Sequence, residues 1–180
     1  MMKRLLAFLS LPVVCVLFTF ACNVPDRGQV ERPVSSRATQ ADFLSDGVDL
    51  VFEKRCGSLD CHGSSARNMR IYSSDGLRLA NDAGISSGTA DTTAAERLAN
   101  YQSILGVEPR ATTDVLNGGD PYTMLVMKKP LLIESHKGGQ VIRLGDDAEN
   151  CIYSWLHAEA EAGAPTNATA CASAADYPHE

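Results

Sequence analysis

The feature that most constrains this chain is the segment 55–63, which reads Arg-Cys-Gly-Ser-Leu-Asp-Cys-His-Gly. It brings two thiols, on Cys56 and Cys61, close to the imidazole of His62. Thiols and imidazoles bind metal ions, and thiols also form covalent links, so the surrounding chain has to hold these groups in one geometry. Any fold that the sequence adopts must therefore present these three side chains together.

The spacing of this segment points to a covalently attached haem. In the commoner Cys-x-x-Cys-His arrangement, the two thiols add across the haem vinyl groups and the following His binds the iron as proximal ligand. The thioethers hold the chain along one haem edge, which puts a His directly after the second Cys under the iron. Two extra residues can bulge outward, and Gly57 suits such a bulge because glycine tolerates positive φ.

With Phe52 four residues before Cys56 and Gly63 after His62, the segment resembles the haem motif of c-type cytochromes, from which it departs by its four-residue gap. The resemblance covers residues 41–164. It implies a mainly α, class I cytochrome c-like fold, in which an N-terminal and a C-terminal helix pack around one covalently bound haem c.

Two other interpretations stay open. Cys56 and Cys61 can form a local disulfide beside an incidental His62, which would make the protein a haem-free binding or structural module. The three residues can also contribute to a zinc site, although free thiolate ligands are uncommon in an oxidising compartment.

The N-terminus predicts export. Residues 1–4 are basic and residues 5–20 are apolar, which is typical of a secretory signal peptide over residues 1–21 rather than of a retained membrane span. Residues 19–22, Thr-Phe-Ala-Cys, are similar to a bacterial lipobox, which makes Cys22 the expected lipidated residue, although the same residues also suit the ordinary signal peptidase. Residues 22–40 are polar and predict a flexible tether to a membrane facing the periplasm or the cell surface.

Export assigns a place to the remaining cysteines. Cys15 leaves with the signal peptide and Cys22 takes lipid. Cys151 and Cys171 remain, and an oxidising compartment favours a disulfide between them that ties back the polar tail of residues 165–180. Closing that loop would stabilise the fold by about 3 kcal/mol on the chain-entropy model.

The charge of the chain argues against nucleic acid as a partner. The formal charge is −6, and removal of the signal peptide deletes Lys3 and Arg4 and no acidic residue, which makes it −8. No basic patch is visible in the sequence. An acidic protein can be steered towards basic redox partner proteins.

Hydrophobic periodicity predicts helices in four places. Thr93 and Glu96 form a capping-box pattern at the start of the second helix, and Asp146 or Asp147 can cap the last. Residues 69–79 predict a short hairpin or an extended loop with a turn, and residues 107–120 a connection. The predicted helices span residues 41–55, 94–106, 121–128 and 147–162.

The resemblance also implies contacts between the first and last helices. Gly47 falls near the position where class I cytochromes often have a small residue against the last helix. Tyr153 or Trp155 would supply the aromatic residue at that crossing.

A low-spin cytochrome needs a second axial iron ligand between the haem motif and the last helix. The candidates are His136, Met124 and Met127. His136 is favoured because it lies in a loop followed by two glycines, which let the backbone approach a planar ligand closely. The segment from Pro130 through His136 to Trp155 is also similar to cytochrome-like domains of planctomycetes and myxobacteria.

The sequence thus predicts an exported, membrane-tethered mono-haem cytochrome that carries electrons between redox proteins and is not an enzyme. A haem enzyme or gas sensor with an open iron site is a further alternative. It requires that neither His136 nor a Met binds the iron.

Overall fold

The structure is a computed structural model that describes residues 38–74, 76–79, 90–157 and 168–176. The expected signal peptide, the lipidation site Cys22 and nearly all of the expected tether lie outside the described residues.

The described part of the chain is helical and contains no strand, which confirms the mainly α prediction. The described α-helices are α1 (Gln40–Ser45), α2 (Val48–Cys56), α3 (Ala94–Gly106), α4 (Pro109–Leu116), α5 (Leu125–Lys128), α6 (Asp147–His157) and α7 (Ala168–Ala175). A 3-10 turn, Pro121–Thr123, lies between α4 and α5. The longest described helix, α3, has 13 residues, and none of the described helices is both long and apolar enough to cross a bilayer.

The described residues of the segment 69–79 form no two-stranded hairpin. A single isolated bridge joins Tyr72 and Leu77, and Ser73 N donates to Leu77 O at 3.1 Å. Of the two structures predicted for residues 69–79, the extended loop with a turn is therefore the one found.

The predicted first helix is broken in two, and the prediction of one continuous helix over residues 41–55 is wrong. Gly47 has φ +78, in the left-handed region that a right-handed helix cannot continue through. Among the described residues, and leaving out its chain neighbours, Leu50 Cδ1 at 3.9 Å is the one heavy atom within 4 Å of a Cβ placed on Gly47. No residue of the described part of the last helix comes that close, and this glycine follows the end of α1.

Residues 107–120 were predicted as a connection, and that prediction is also wrong. Pro109 occupies the first turn of α4, where its missing N–H has no helical partner to lose. Thr112 and Val115 are buried one turn apart. With so few apolar residues in the segment, its hydrophobic periodicity was too weak to reveal the helix.

An aromatic cluster joins the first helices to the last. The ring centres of Trp155 on α6 and Phe43 on α1 are 5.1 Å apart, and those of Phe43 and Phe52 on α2 are 6.2 Å apart. Trp155 Nε1 donates to Thr39 O at 3.3 Å. Trp155 therefore makes the predicted aromatic contact, whereas Tyr153 packs against Tyr122.

The C-terminal segment is fixed to α6 by the Cys151–Cys171 disulfide, which confirms that prediction. Sequence analysis expected only a tail here, but Ala168–Ala175 forms α7, with Ala170, Cys171 and Ala174 buried. Arg55 Nε on α2 donates to Ala174 O at 3.3 Å. The helix that carries Cys56 is thereby linked to the last described helix. The end of α6 predicted at residue 162 lies outside the described residues.

The predicted capping box at the start of α3 is confirmed, and it forms a buried ionic network. Glu96 accepts hydrogen bonds from Arg78 Nε at 2.8 Å, from Leu79 N at 2.9 Å and from Thr93 N at 2.8 Å. Burial alone would raise the pKa of Glu96, but these hydrogen bonds outweigh it and hold the pKa at about 2.

We expect the Glu96→Gln variant to lose a pH-dependent part of the unfolding free energy. Because the folded-state pKa of Glu96 lies below its ordinary value of 4.5, the stabilisation is present above pH 4.5 and disappears as the pH falls towards 2. The loss at neutral pH should be about 3 kcal/mol. Urea unfolding from pH 7 to pH 2.5 would measure it. In the control variant, Glu134→Gln, the carboxylate that is lost belongs to an exposed ion pair. The unfolding free energy of this control should therefore fall by less than about 1 kcal/mol. An equal cost in the two variants would contradict the prediction.

Candidate functional site

An apolar cleft opens between three parts of the chain: the end of α2, the end of α3 with the residues that follow it, and the loop after α5. Its inner part has a cavity volume of about 210 Å³. An outer part of about 650 Å³ continues to the surface, and Cys61, His62 and His136 line both parts. The apolar side chains of the inner part include Phe52, Ile104, Leu125, Val126, Val141 and Ile142.

The Cys-x4-Cys-His segment forms a closed turn at one side of the cleft. α2 ends at Cys56, and His62 N donates to Cys56 O at 2.9 Å. This bond brings the two ends of the segment together despite the four intervening residues. Residues 58–60 are exposed, with 62 % of Leu59 accessible to solvent. The extra residues bulge outward, as the sequence predicted.

Gly57 is needed for a different reason from the one expected. Its φ is −83, so the turn makes no use of positive φ at this position. A Cβ on Gly57 would instead lie 2.5 Å from Glu53 O and 2.8 Å from Ser73 Cβ, and a Cβ on Gly63 would lie 2.0 Å from Gly57 O. The glycines of the motif allow backbone segments to pack directly on each other.

The imidazole of His62 is oriented by the backbone. His62 Nδ1 hydrogen-bonds Met69 O at 2.9 Å, and Ile71 N donates to His62 O at 2.9 Å. Since a carbonyl oxygen only accepts, Nδ1 carries the proton and Nε2 is left with a free lone pair. Burial lowers the pKa of His62, and the nearby His136 acts in the same direction. A neutral imidazole is the form that binds metals.

His136 lies across the cleft from His62 and is held in the same way. His136 Nδ1 hydrogen-bonds Gly139 O at 2.8 Å, so its Nε2 is also free of the proton. The ring centres of His62 and His136 are 6.3 Å apart and their planes differ by 16°. Two imidazoles from distant parts of the chain therefore form a nearly parallel pair.

The distance between the two ring centres is close to the value of about 6.2 Å expected for two imidazoles whose nitrogens bind opposite sides of one transition metal at about 2.0 Å. Among the described residues, no group of three or more His, Cys, Asp or Glu side chains could hold a metal ion.

Both motif cysteines line the cleft as free thiols. Burial raises the pKa of the Cys56 thiol to about 12, with a further contribution from Cys61. The thiol therefore stays protonated, and Cys56 lacks the low pKa of a nucleophilic or redox-active cysteine.

The two methionine candidates differ in position. Met124 is buried and lines the cleft, in the extended link between the 3-10 turn and α5. Met127 is equally buried but belongs to the hydrophobic core and is not among the residues that line the cleft. The ring centre of His136 lies 6.3 Å from that of His62, and Met124 lines the same cleft, so the choice of distal ligand stays a prediction.

Several contributors to the site were missed by sequence reasoning. Arg67 clamps the outward bulge, since its Nε donates to Cys61 O at 2.7 Å and its Nη2 to Asp60 O at 2.8 Å. Met69 and Gly139 act through their carbonyl oxygens. Every residue has a carbonyl group, so no sequence signal could have singled out these two.

Comparison of the chain with models of known protein families, with curated proteins and with solved structures finds no match.

Proposed function

We propose that this protein is an exported, membrane-tethered c-type cytochrome that carries single electrons between redox proteins and holds one haem c. The observation that carries the proposal is the pair of backbone-oriented imidazoles, 6.3 Å apart across an apolar cleft that two free thiols also line.

The proposed attachment uses the chemistry of the two thiols. Each S–H adds across one vinyl double bond of the haem: sulfur bonds to one carbon, hydrogen to the other, and no electron is gained or lost. His62, directly after Cys61, is the proximal iron ligand.

His136 is proposed as the distal ligand. Its hydrogen bond to Gly139 O, like that of His62 to Met69 O, favours the neutral tautomer in which Nδ1 carries the proton and Nε2 keeps its lone pair. Haem supplies an iron that alternates between Fe(III) and Fe(II). Held by both His62 and His136, the iron would have no open position for a substrate, which favours electron transfer over catalysis.

The apolar lining supports the same assignment. Side chains such as Ile104, Val126 and Ile142 would exclude water from a planar ligand, and they carry no hydrogen-bonding groups that the ligand would have to satisfy. In this proposal the protein buries the haem and holds the ligands of its iron in place. The proposal of a tether and a membrane anchor is based on residues 1–40 of the sequence. The proposal of redox partner proteins is based on the acidic charge of the chain.

The test is to produce the protein in a host that matures c-type cytochromes, and to measure its denatured mass and its visible spectra in both oxidation states. We expect one haem mass that survives denaturation, and a sharp low-spin reduced spectrum. The double variant Cys56→Ala/Cys61→Ala should lose the retained mass. A colourless protein whose mass is two hydrogens short at Cys56 and Cys61 would instead establish the haem-free module with a local disulfide.

A further inference from the structure

The loop that carries His136 is closed at its base and joined to the body there. Pro130 O accepts hydrogen bonds from Val141 N at 3.0 Å and Ile142 N at 3.2 Å. Inside the loop, Lys129 Nζ donates to Ser135 O at 2.9 Å. These bonds determine where the backbone of His136 lies, but none of them reaches its ring.

The ring of His136 is held by the four-residue turn that follows it. Gly139 N donates to His136 O at 3.0 Å, and Nδ1 of the ring hydrogen-bonds Gly139 O at 2.8 Å. Gly139 needs φ +73 to present its carbonyl in this way. Ser135, Lys137 and Gly138 are exposed. Among the contacts described, the orientation of the ring therefore depends mainly on its own turn.

Gly138 lies directly against this ring. A Cβ on Gly138 would be 3.2 Å from His136 Cε1, 3.5 Å from Nε2 and 3.7 Å from Nδ1. The closest of these distances is tighter than an ordinary van der Waals contact, and the affected atoms flank the nitrogen that is free to bind a metal. A methyl group here would require the ring to move by a few tenths of an ångström.

We propose that Gly138 is a positioning residue that keeps the His136 imidazole nearly parallel to that of His62. The inference rests on the proposed function, and it adds that the plane of the distal ligand is set by a glycine peptide rather than by core packing. The relative orientation of two axial imidazoles determines how the iron d orbitals split. A turn that fixes the plane therefore tunes the electronic state of the iron without contacting it.

The test is Gly138→Ala in the mature, haem-loaded protein, compared with wild type and with Gly106→Ala. Gly106 is the matched control because a Cβ there meets no atom within 4 Å and its φ is not positive. The two readouts are the electron paramagnetic resonance spectrum of the ferric protein, which reports the angle between the imidazole planes, and the rate at which cyanide replaces the distal ligand.

We expect Gly138→Ala to keep the haem mass and the thermal unfolding midpoint of wild type, to shift the ferric g values, and to bind cyanide about tenfold faster. Gly106→Ala should match wild type in both readouts. Identical g values and cyanide rates in the two variants would overturn the role of Gly138 while leaving a haem protein in place. A wild-type protein without haem would overturn the proposed function itself, so the two failures are distinguishable.

Discussion

Replacement of His136 by alanine is expected to convert the reduced protein from a low-spin form that does not bind carbon monoxide to a form that binds it rapidly. The physical reason is that the alanine side chain offers no ligand, so the position opposite His62 becomes open to small molecules. The haem should stay attached, because the thioethers proposed at Cys56 and Cys61 would not depend on His136. Visible spectra with and without carbon monoxide, together with the denatured mass, measure both points.

The matched variant is Met124→Leu, which keeps the volume and apolar character of a buried residue of the same cleft. We expect its spectrum and its carbon monoxide binding to equal those of wild type, since volume-conserving swaps usually cost less than about 1.5 kcal/mol. If Met124→Leu opens the site and His136→Ala does not, the distal ligand is Met124. If wild type itself binds carbon monoxide, the open-site alternative is supported instead.

Trp155→Ala is expected to cause the largest loss of stability, about 3–5 kcal/mol of unfolding free energy. Trp155 is fully buried at the crossing of α6 with the first helices, against Phe43 and Tyr101, whose ring centres lie 5.1 Å and 6.3 Å away. Its removal leaves a cavity among aromatic side chains that cannot all move to fill it. Urea or guanidinium unfolding, followed by circular dichroism, measures the change.

Two further variants separate the parts of this effect. Trp155→Phe retains an aromatic ring but loses the hydrogen bond from Nε1 to Thr39 O, so a smaller loss, about 1–2 kcal/mol, is expected. Leu144→Ala alters a side chain that is 75 % exposed and should change stability by less than about 0.5 kcal/mol. A cost for Trp155→Ala no greater than that for Leu144→Ala would show that the aromatic cluster does not hold the helices together.

The sequence predicted the features that depend on local chemistry. Thr93 and Glu96 specify a helix start through bonds within one turn, and the structure has them. Asp146 likewise precedes α6, where its Oδ1 accepts from Glu149 N at 2.8 Å. The Cys151–Cys171 pairing followed from chemical context, because few other cysteines were left to pair in an exported chain.

The features that were missed depend on residues far apart in the chain. Gly47 breaks a helix whose apolar pattern continues across it, and a pattern does not report φ. The role of Gly57 depends on Ser73, which reaches it from another segment. For the candidate site, the sequence supplied both histidines, but their 16° alignment is set by the carbonyls of Met69 and Gly139. Such alignment depends on the folded backbone, and no residue type in the sequence indicates it.

The bond from His62 N to Cys56 O also has a consequence for how such motifs vary. It closes the segment across its two ends, so the residues between the cysteines form a loop outside the closing bond. In this chain the closing bond, rather than the count of intervening residues, brings the three side chains together. A search that requires two intervening residues would pass over chains that present the same three side chains.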